Sequence, residues 1–196
     1  MCNLCNISLN ETFFSIVKWI RSSALFVKLN SDSSCIRGKC GAGGVVRDNN
    51  GKFIIACAIP LGQGTSNWAE ACAMLFGINW FIQKGTPLII GETYSILIHS
   101  CISGTWATLW RISDKINELK MLEDSHDIVT HHCFREANKV ADKLAALCHI
   151  NEEACIYTNF NSLPRQVKGL LNADRWHMPT FRVKRRKPSG LIYEPP

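Results

Sequence analysis

The stretch that most constrains this chain is a turn, Asp48-Asn49-Asn50-Gly51, set between two apolar runs. Before it, a glycine-rich segment, Gly38–Gly44, leads into Val45-Val46-Arg47. After it, Lys52–Ile59 reads KFIIACAI. Asp and Asn side chains bond their own backbone in turns and Gly51 accepts positive φ, so the two runs fold back on each other as antiparallel strands. Upstream, Leu25–Ser31 (LFVKLNS) alternates apolar and polar residues toward its end, as a half-buried strand does. Three strands in succession make a meander.

Beyond the meander the period changes. Pro60–Thr65 reads as a loop, with Ser66 or Asn67 as a helix cap. Trp68–Lys84 then places Ala71, Met74, Leu75, Ile78 and Phe81 at helical spacing, and Gly85 ends it. Thr86-Pro87 breaks to a strand over Leu88–Thr93. A short helix over Ser95–Ile102 follows and, after SGTW, an amphipathic one over about Ala107–Leu122. Ile128–Phe134 reads as a fifth strand and Glu136–His149 as a final helix, with Val140, Ala141, Leu144, Ala145 and Cys148 on its apolar face. The order predicts an α/β fold: a five-stranded mixed sheet in which three antiparallel strands gain two more through helical crossovers, with helices on its faces.

With 46% hydrophobic and 19% charged residues among 196, the chain can bury a core, so wholesale disorder is excluded. No apolar run approaches the roughly 20 residues of a membrane helix, and MCNLCNISLN lacks the design of a secretory signal. An intracellular protein, nuclear or cytoplasmic, is expected. The sequons at Asn6 and Asn10 are then chance, and the ten cysteines read as reduced and mostly buried. Cys2-x-x-Cys5 has half a zinc site's spacing but no second pair within reach, which suggests a remnant of an upstream zinc-binding segment.

Charge divides the chain. Residues 1–163 hold fourteen Lys/Arg against fourteen Asp/Glu, whereas residues 164–196 hold eight against two. The expected organisation is an extension over 1–24, a domain over 25–150 and a basic tail over 151–196. The run FRVKRRKP in that tail suits an anionic partner, an import signal or simply a solvated end.

Four acids are notable. Asp32 lies just past the first strand, Glu70 in the first turn of the long helix, Glu92 near the end of an apolar strand, and Asp142 in the last helix beside its apolar stripe. Singly each has an ordinary role as turn former, helix-dipole partner or solvated acid. Together, the segments VKLNSDSS, GKCGAGGVVRDNNGKFI, NWAEACAMLFGINW, GETYS and HCFREANKVADKLA resemble type 1 ribonuclease H, in its plant retroelement-derived, reverse-transcriptase-like form. The resemblance runs from about residue 27 to 150, and more weakly into SLPRQVKGLLNADRW.

That resemblance implies a ribonuclease H-like fold and a four-carboxylate site holding two Mg²⁺ ions. Such ions take hard oxygen ligands. About 3.5–4 Å apart, they activate a water and stabilise the leaving 3′ oxygen in phosphodiester hydrolysis. The implied substrate is the RNA strand of an RNA/DNA hybrid, told from DNA by its 2′-hydroxyls. Carried over, Asp32, Glu70 and Asp142 are metal ligands and catalytic residues. His132 falls where the family has a histidine on a mobile loop that aids proton transfer or product release; beside His131 it is equally an ordinary strand-end histidine.

The fourth carboxylate is missing. Where the family has Glu-Thr/Ser-Asp-Ser, this chain has Glu92-Thr93-Tyr94-Ser95. A phenol with a pKa near 10 is a poor Mg²⁺ ligand at neutral pH. Glu92, two residues back and roughly 7 Å away along a strand, does not close the gap. Ser33 also replaces the glycine that follows the family's first aspartate.

Three readings follow: an active RNA–DNA hybrid ribonuclease, a nucleic-acid-binding module with impaired catalysis, or a folded retroelement remnant. In the second, Ser33, Ser34, Arg182, Lys184, Arg185, Arg186 and Lys187 face nucleic acid, and Tyr94 and Trp68 offer stacking faces. A single copy is expected, with no membrane partner. Removing residues 182–187 is expected to weaken polyanion binding without changing thermal stability.

Overall fold

The computed structural model describes residues 12–85 and 88–185. Cys2, Cys5, Asn6, Asn10, Thr86, Pro87, Arg186 and Lys187 lie outside them. The meander forms as expected: β2 (Val27–Ile36), β3 (Lys39–Arg47) and β4 (Phe53–Gln63) pair antiparallel in turn. At the β3–β4 turn the Asp48 carboxylate accepts from the backbone N–H of Asn50 (2.9 Å) and Lys52 (2.7 Å), and Gly51 sits at φ +76°. β5 (Leu88–Thr93) adds parallel to β2, and β6 (Asp127–His132) parallel to β5.

Helix α1 (Ser66–Gln83) makes the first crossover. Its cap is Thr65, whose hydroxyl accepts from Trp68 N–H, one residue earlier than expected. The expected loop from Pro60 is strand as far as Gln63. The second crossover runs through α2 (Ile96–Ile102) and α3 (Ser113–Ser125), the latter starting later than expected because a 3₁₀ turn occupies Trp110–Ile112. α4 (Lys139–Leu147) follows β6, again after a 3₁₀ turn, over Arg135–Ala137.

All five expected strands share one mixed sheet, and a sixth joins them from the segment expected to be tail. Strand β7 (Cys155–Tyr157) pairs antiparallel with β4, giving the order β6-β5-β2-β3-β4-β7. Helix α5 (Arg165–Arg175) then sends Leu163, Val167 and Leu171 into a core with Val45, Ala56, Val140 and Leu144. That core fills one face of the sheet. On the other, Leu29, Ile89 and Ile128 pack beneath α1, α2 and α3 through Met74, Ile78, Ile98 and Leu119. The α4 face approaches so closely that a Cβ on Gly43 would overlap Ala145 N and Ala141 O.

The N-terminal segment belongs to the fold as well. β1 (Thr12–Val17) pairs antiparallel with β8 (Thr180–Arg185) in a separate two-stranded ribbon. Val17 and Trp19 are buried. Val17 and Trp19 before β2, and Leu163, Val167 and Leu171 after residue 150, are therefore part of the packed structure.

The cysteines also differ from expectation. Cys35 and Cys40 lie directly opposite each other across the β2–β3 hairpin, Cα atoms 4.1 Å apart, and form a disulfide. The turn that brings them together uses Arg37 at φ +50° and Gly38 at φ +82°, a pairing that sequence separation alone did not indicate. Among the described residues, Cys57, Cys72, Cys101, Cys133, Cys148 and Cys155 are free thiols. No described helix is long and apolar enough to cross a membrane.

Candidate active site and nucleic-acid surface

Asp32 lies inside β2, not beyond its end. β2 and its partner β3 run on to the Cys35–Cys40 pair, so Asp32 stands opposite Gly43 in mid-ladder and is fully buried. One of its carboxylate oxygens accepts from Ser33 N–H (2.7 Å), the other from the Asn138 side-chain amide (3.3 Å). Glu70, in the first turns of α1, is also buried. It accepts from the Ser33 hydroxyl (2.9 Å), Ser33 N–H (3.2 Å) and the Thr93 hydroxyl (3.4 Å). Both carboxylates accept from the same Ser33 N–H, which brings them to one point.

Burial first, then the Glu70 charge, then that of Asp142, pushes the Asp32 carboxyl up to about 9 from an ordinary value of 3.8. Burial raises Glu70 too. Two buried acids with no basic side chain bonded to them hold a proton unless a cation joins them.

Asp142 stands apart from this pair. At the start of α4, with its side chain 43% exposed, it is ion-paired with Arg135 Nη2 at 3.1 Å. Tyr94 lies between the parties, in the loop between β5 and α2. Its hydroxyl is raised to about 12 by burial and by the Glu70 and Asp32 charges, and Arg135 sits 5.7 Å over its ring. The phenol is therefore neutral beside the acids it borders. Among the described residues, no three His, Cys, Asp or Glu side chains gather closely enough to hold one ion. Asp32 and Glu70 suit a single hard cation, while the donors for a second are not assembled.

His132 ends β6, and its Nε2 lies 3.0 Å from the Tyr94 carbonyl oxygen. The same side chain is 6.0 Å, edge to face, from Phe134. It thus anchors the Tyr94 backbone from a strand end. Ser34 bonds the His149 ring (3.0 Å).

Glu92 points away from Glu70, to the opposite face of the sheet, where it carries a structural load. Its oxygens accept from Lys28 Nζ (2.6 Å) and the Asn30 amide (2.9 Å). The alternation in LFVKLNS is that of a half-buried strand, yet its polar residues Lys28 and Asn30 are buried too. The space is filled by Trp19, whose indole N–H donates to Asn30 (2.9 Å), and by Arg47, stacked 3.7 Å over that indole. Arg47 in turn donates to Asn30 (2.6 Å) and Asp174 (2.6 Å). Asn30 also donates to Asn138 (3.2 Å), the residue that bonds Asp32. Asp174, Arg47, Asn30, Asn138 and Asp32 form one hydrogen-bonded chain from α5 to the site. The signal available in the sequence was a strand whose polar residues, Lys28, Asn30 and Asp32, recur at period two beside an upstream tryptophan.

Beside Asp142 an open cleft of about 390 Å³ is lined by Arg135, Glu136, Lys139, Lys143 and Leu170. Of the tail bases, Arg182 stacks 4.3 Å over Phe134 and lies 3.9 Å from Glu136. Lys184 is opposite Phe13 in the ribbon and Arg185 ends β8.

A mixed sheet whose central strand and first crossover helix each deliver a buried carboxylate to one point defines the class, and sequence comparison gives its name. The chain belongs to the reverse transcriptase-like family, whose model matches residues 30–148. An Arabidopsis thaliana protein named "Putative ribonuclease H protein" is 24% identical over 163 residues, covering 81% of this chain and 26% of that protein. The chain thus spans about a quarter of that relative's length. RNase H1 from Halobacterium salinarum is similar in fold, with TM-score 0.61 and 22% identity over 64% of this chain and 98% of that one. The N-terminal RNase H domain of a Mycobacterium tuberculosis protein gives 0.58 at 21% identity, covering 62% and 91%. LC11-RNase H1, solved in complex with RNA/DNA hybrid, gives 0.56 at 20% identity, covering 60% and 92%.

Proposed function

We propose that this domain binds nucleic acid in the form of an RNA/DNA hybrid, and that its hydrolytic activity is impaired by Tyr94. The observation that carries the reading is the buried Asp32–Glu70 pair with a neutral phenol at its border and the third acid, Asp142, engaged by Arg135. A Mg²⁺ ion held by Asp32 and Glu70 would polarise a phosphate oxygen bound to it. Two-metal hydrolysis needs further anionic donors where this chain has Tyr94, so no catalytic step is assigned to a second ion. The basic cleft beside Asp142 and the ribbon bases Arg182 and Lys184 supply sequence-independent attraction for phosphates. The hybrid bound by LC11-RNase H1, a protein of the same fold, supports the choice of ligand.

The test is a labelled RNA/DNA hybrid incubated with Mg²⁺ or Mn²⁺, using the chain as it stands and Tyr94→Asp. Expected are binding at low salt that weakens steeply as salt rises, no turnover by the unaltered chain, and cleavage gained by Tyr94→Asp. Turnover by the unaltered chain that Asp32→Asn abolishes would refute impairment. Failure of both proteins to bind hybrid at low salt would refute the nucleic-acid role.

A further inference from the structure

Helix α4 buries Val140, Ala141, Leu144 and Ala145 against the sheet and turns its polar side outward. That side carries Lys139 and Lys143, four residues apart and so neighbours on one face. Both line the cleft of about 390 Å³ beside Asp142. Its lining holds three bases against two acids, and both acids are already engaged. Arg135 pairs with Asp142 at 3.1 Å, and Arg182 stands 3.9 Å from Glu136. Lys139 donates to the neutral Thr180 hydroxyl (3.2 Å), which leaves its charge unpaired. Among the described residues, no carboxylate lies within 4.0 Å of Lys139 or Lys143. Two cations therefore stand in an open cleft without an anion. The opposite wall is Leu170 of α5, and the Thr180 that holds Lys139 belongs to β8. Both lie beyond residues 30–148, the part of the chain that the family model matches.

We infer that this cleft holds a single-stranded extension of a bound RNA/DNA hybrid, with neighbouring phosphates paired to Lys139 and Lys143. The inference rests on the hybrid-binding reading and adds to it the form of the substrate. Size selects a single strand. A cube of about 390 Å³ is roughly 7 Å on edge, whereas the major groove of a duplex alone measures about 12 Å. A duplex does not enter, but one nucleotide does, since pockets of about 300–1,000 Å³ hold small ligands. Charge selects the backbone. Two ammonium groups one helical turn apart offer point charges to successive phosphates, and Leu170 gives the sugar an apolar wall. Position ties the cleft to the hybrid. Asp142 lines the cleft and is held by the same Arg135 that lies over Tyr94, so a strand leaving the acids on that side passes into it. Because the contacts are to phosphate, neither base sequence nor sugar matters. Because the cleft lies on one side of the acids, only one end of a hybrid reaches it.

Fluorescence anisotropy tests this with the full chain and a short hybrid, blunt or carrying a tail of about six nucleotides, in EDTA to prevent turnover. A tail at one end should tighten binding about fivefold in ~0.1 M NaCl, as two exposed ion pairs do. RNA and DNA tails should gain alike, and a tail at the other end should gain nothing. Two neutralised phosphates steepen the dependence of log K on log salt by about 1.4, at roughly 0.7 for each single-strand phosphate. The ratio of tailed to blunt affinity, taken within each protein, should fall to about one when Lys139→Gln and Lys143→Gln are combined. Lys143→Gln alone keeps the Lys139–Thr180 bond and should remove part of the gain. Lys84→Gln, the same loss of charge at the end of α1 on the other face of the sheet, should leave the ratio unchanged. Equal affinity for tailed and blunt hybrid, equal gain from tails at both ends, a gain confined to RNA tails, or a ratio that survives the double substitution would each overturn the cleft's role while hybrid binding stands. Failure of the blunt hybrid itself to bind at low salt would overturn both readings.

Discussion

Replacing Asp32 by asparagine should stabilise the protein, although it removes a fully buried residue bonded on both sides. The Asp32 carboxyl has an ordinary value of 3.8 and is raised to about 9 in the fold, by burial, by Glu70 and by Asp142. The native state therefore holds a proton that the unfolded chain releases. Where a native acid is raised, its favourable contribution is complete below the unfolded value and is lost as pH climbs toward the native one. At pH 7 the chain stands about 3 units above 3.8, and each unit is worth about 1.4 kcal/mol, an upper limit near 4 kcal/mol. Relaxation around the pair lowers this, so about 2–4 kcal/mol is expected. Asparagine keeps the acceptor for Ser33 N–H and gives up only the long bond (3.3 Å) from the Asn138 amide, which also donates to the Ser31 carbonyl (2.8 Å). In urea titrations from pH 4 to 9, the unaltered chain should lose stability relative to Asp32→Asn as pH rises, the curves meeting near pH 4. Mg²⁺ at ten times its dissociation constant should then return about 1.4 kcal/mol to the unaltered chain and little to the variant. A variant less stable than its parent at pH 8, or parallel pH curves, would refute the account of the pair as an acid trap awaiting a cation.

The buried polar chain and the ribbon make two further predictions. Arg47→Ala strands Asp174, removes one of the two donors to Asn30 and empties the space over Trp19, so a loss of about 3–5 kcal/mol is expected in chemical denaturation. Deleting residues 182–187 should lower affinity for a polyanion such as heparin. Against the expectation from sequence, it should also lower the melting temperature by several degrees, because β8 holds β1 and Arg182 packs on Phe134. An unchanged melting temperature would mean the ribbon contributes nothing to the body.

Local rules made the centre of this fold legible. The Asp48–Gly51 turn, the helical stripe of Met74, Ile78 and Phe81, and the short strand ending at Thr93 each follow from neighbours within a few residues, and each formed. What was not legible depends on distant partners. VKLNSDSS reads as a strand running out into a polar loop, yet its serines stay in the ladder because β3 continues opposite them. Lys28 and Asn30 alternate with apolar residues as in a half-buried strand, yet they are buried because Trp19, Arg47 and Glu92 meet there from three separate segments. In the tail, among eight basic residues, Val167 and Leu171 at a four-residue spacing mark the buried stripe of α5, which Leu163 extends from the chain before it. Of the site, the resemblance supplied the acids. Which of them meet was decided by the sheet and by one arginine.

That arginine decides which of the acids is open to a cation. Arg135 holds Asp142 at 3.1 Å and lies over the Tyr94 ring, so an internal cation already pairs with that acid. Both partners are largely exposed, and an exposed pair contributes about 1 kcal/mol at most. Breaking it is therefore cheap for the fold but consequential for the site. Tyr94→Asp alone adds a carboxylate that must compete with Asp142 for Arg135. Tyr94→Asp with Arg135→Ala frees both acids. The double variant should bind Mn²⁺ at least several-fold tighter in calorimetry than Tyr94→Asp and cleave hybrid faster at limiting metal, with a melting temperature within a few degrees of the parent. Equal metal affinity in the single and double variants would show that Arg135 merely accompanies the tyrosine and does not stand in for an ion.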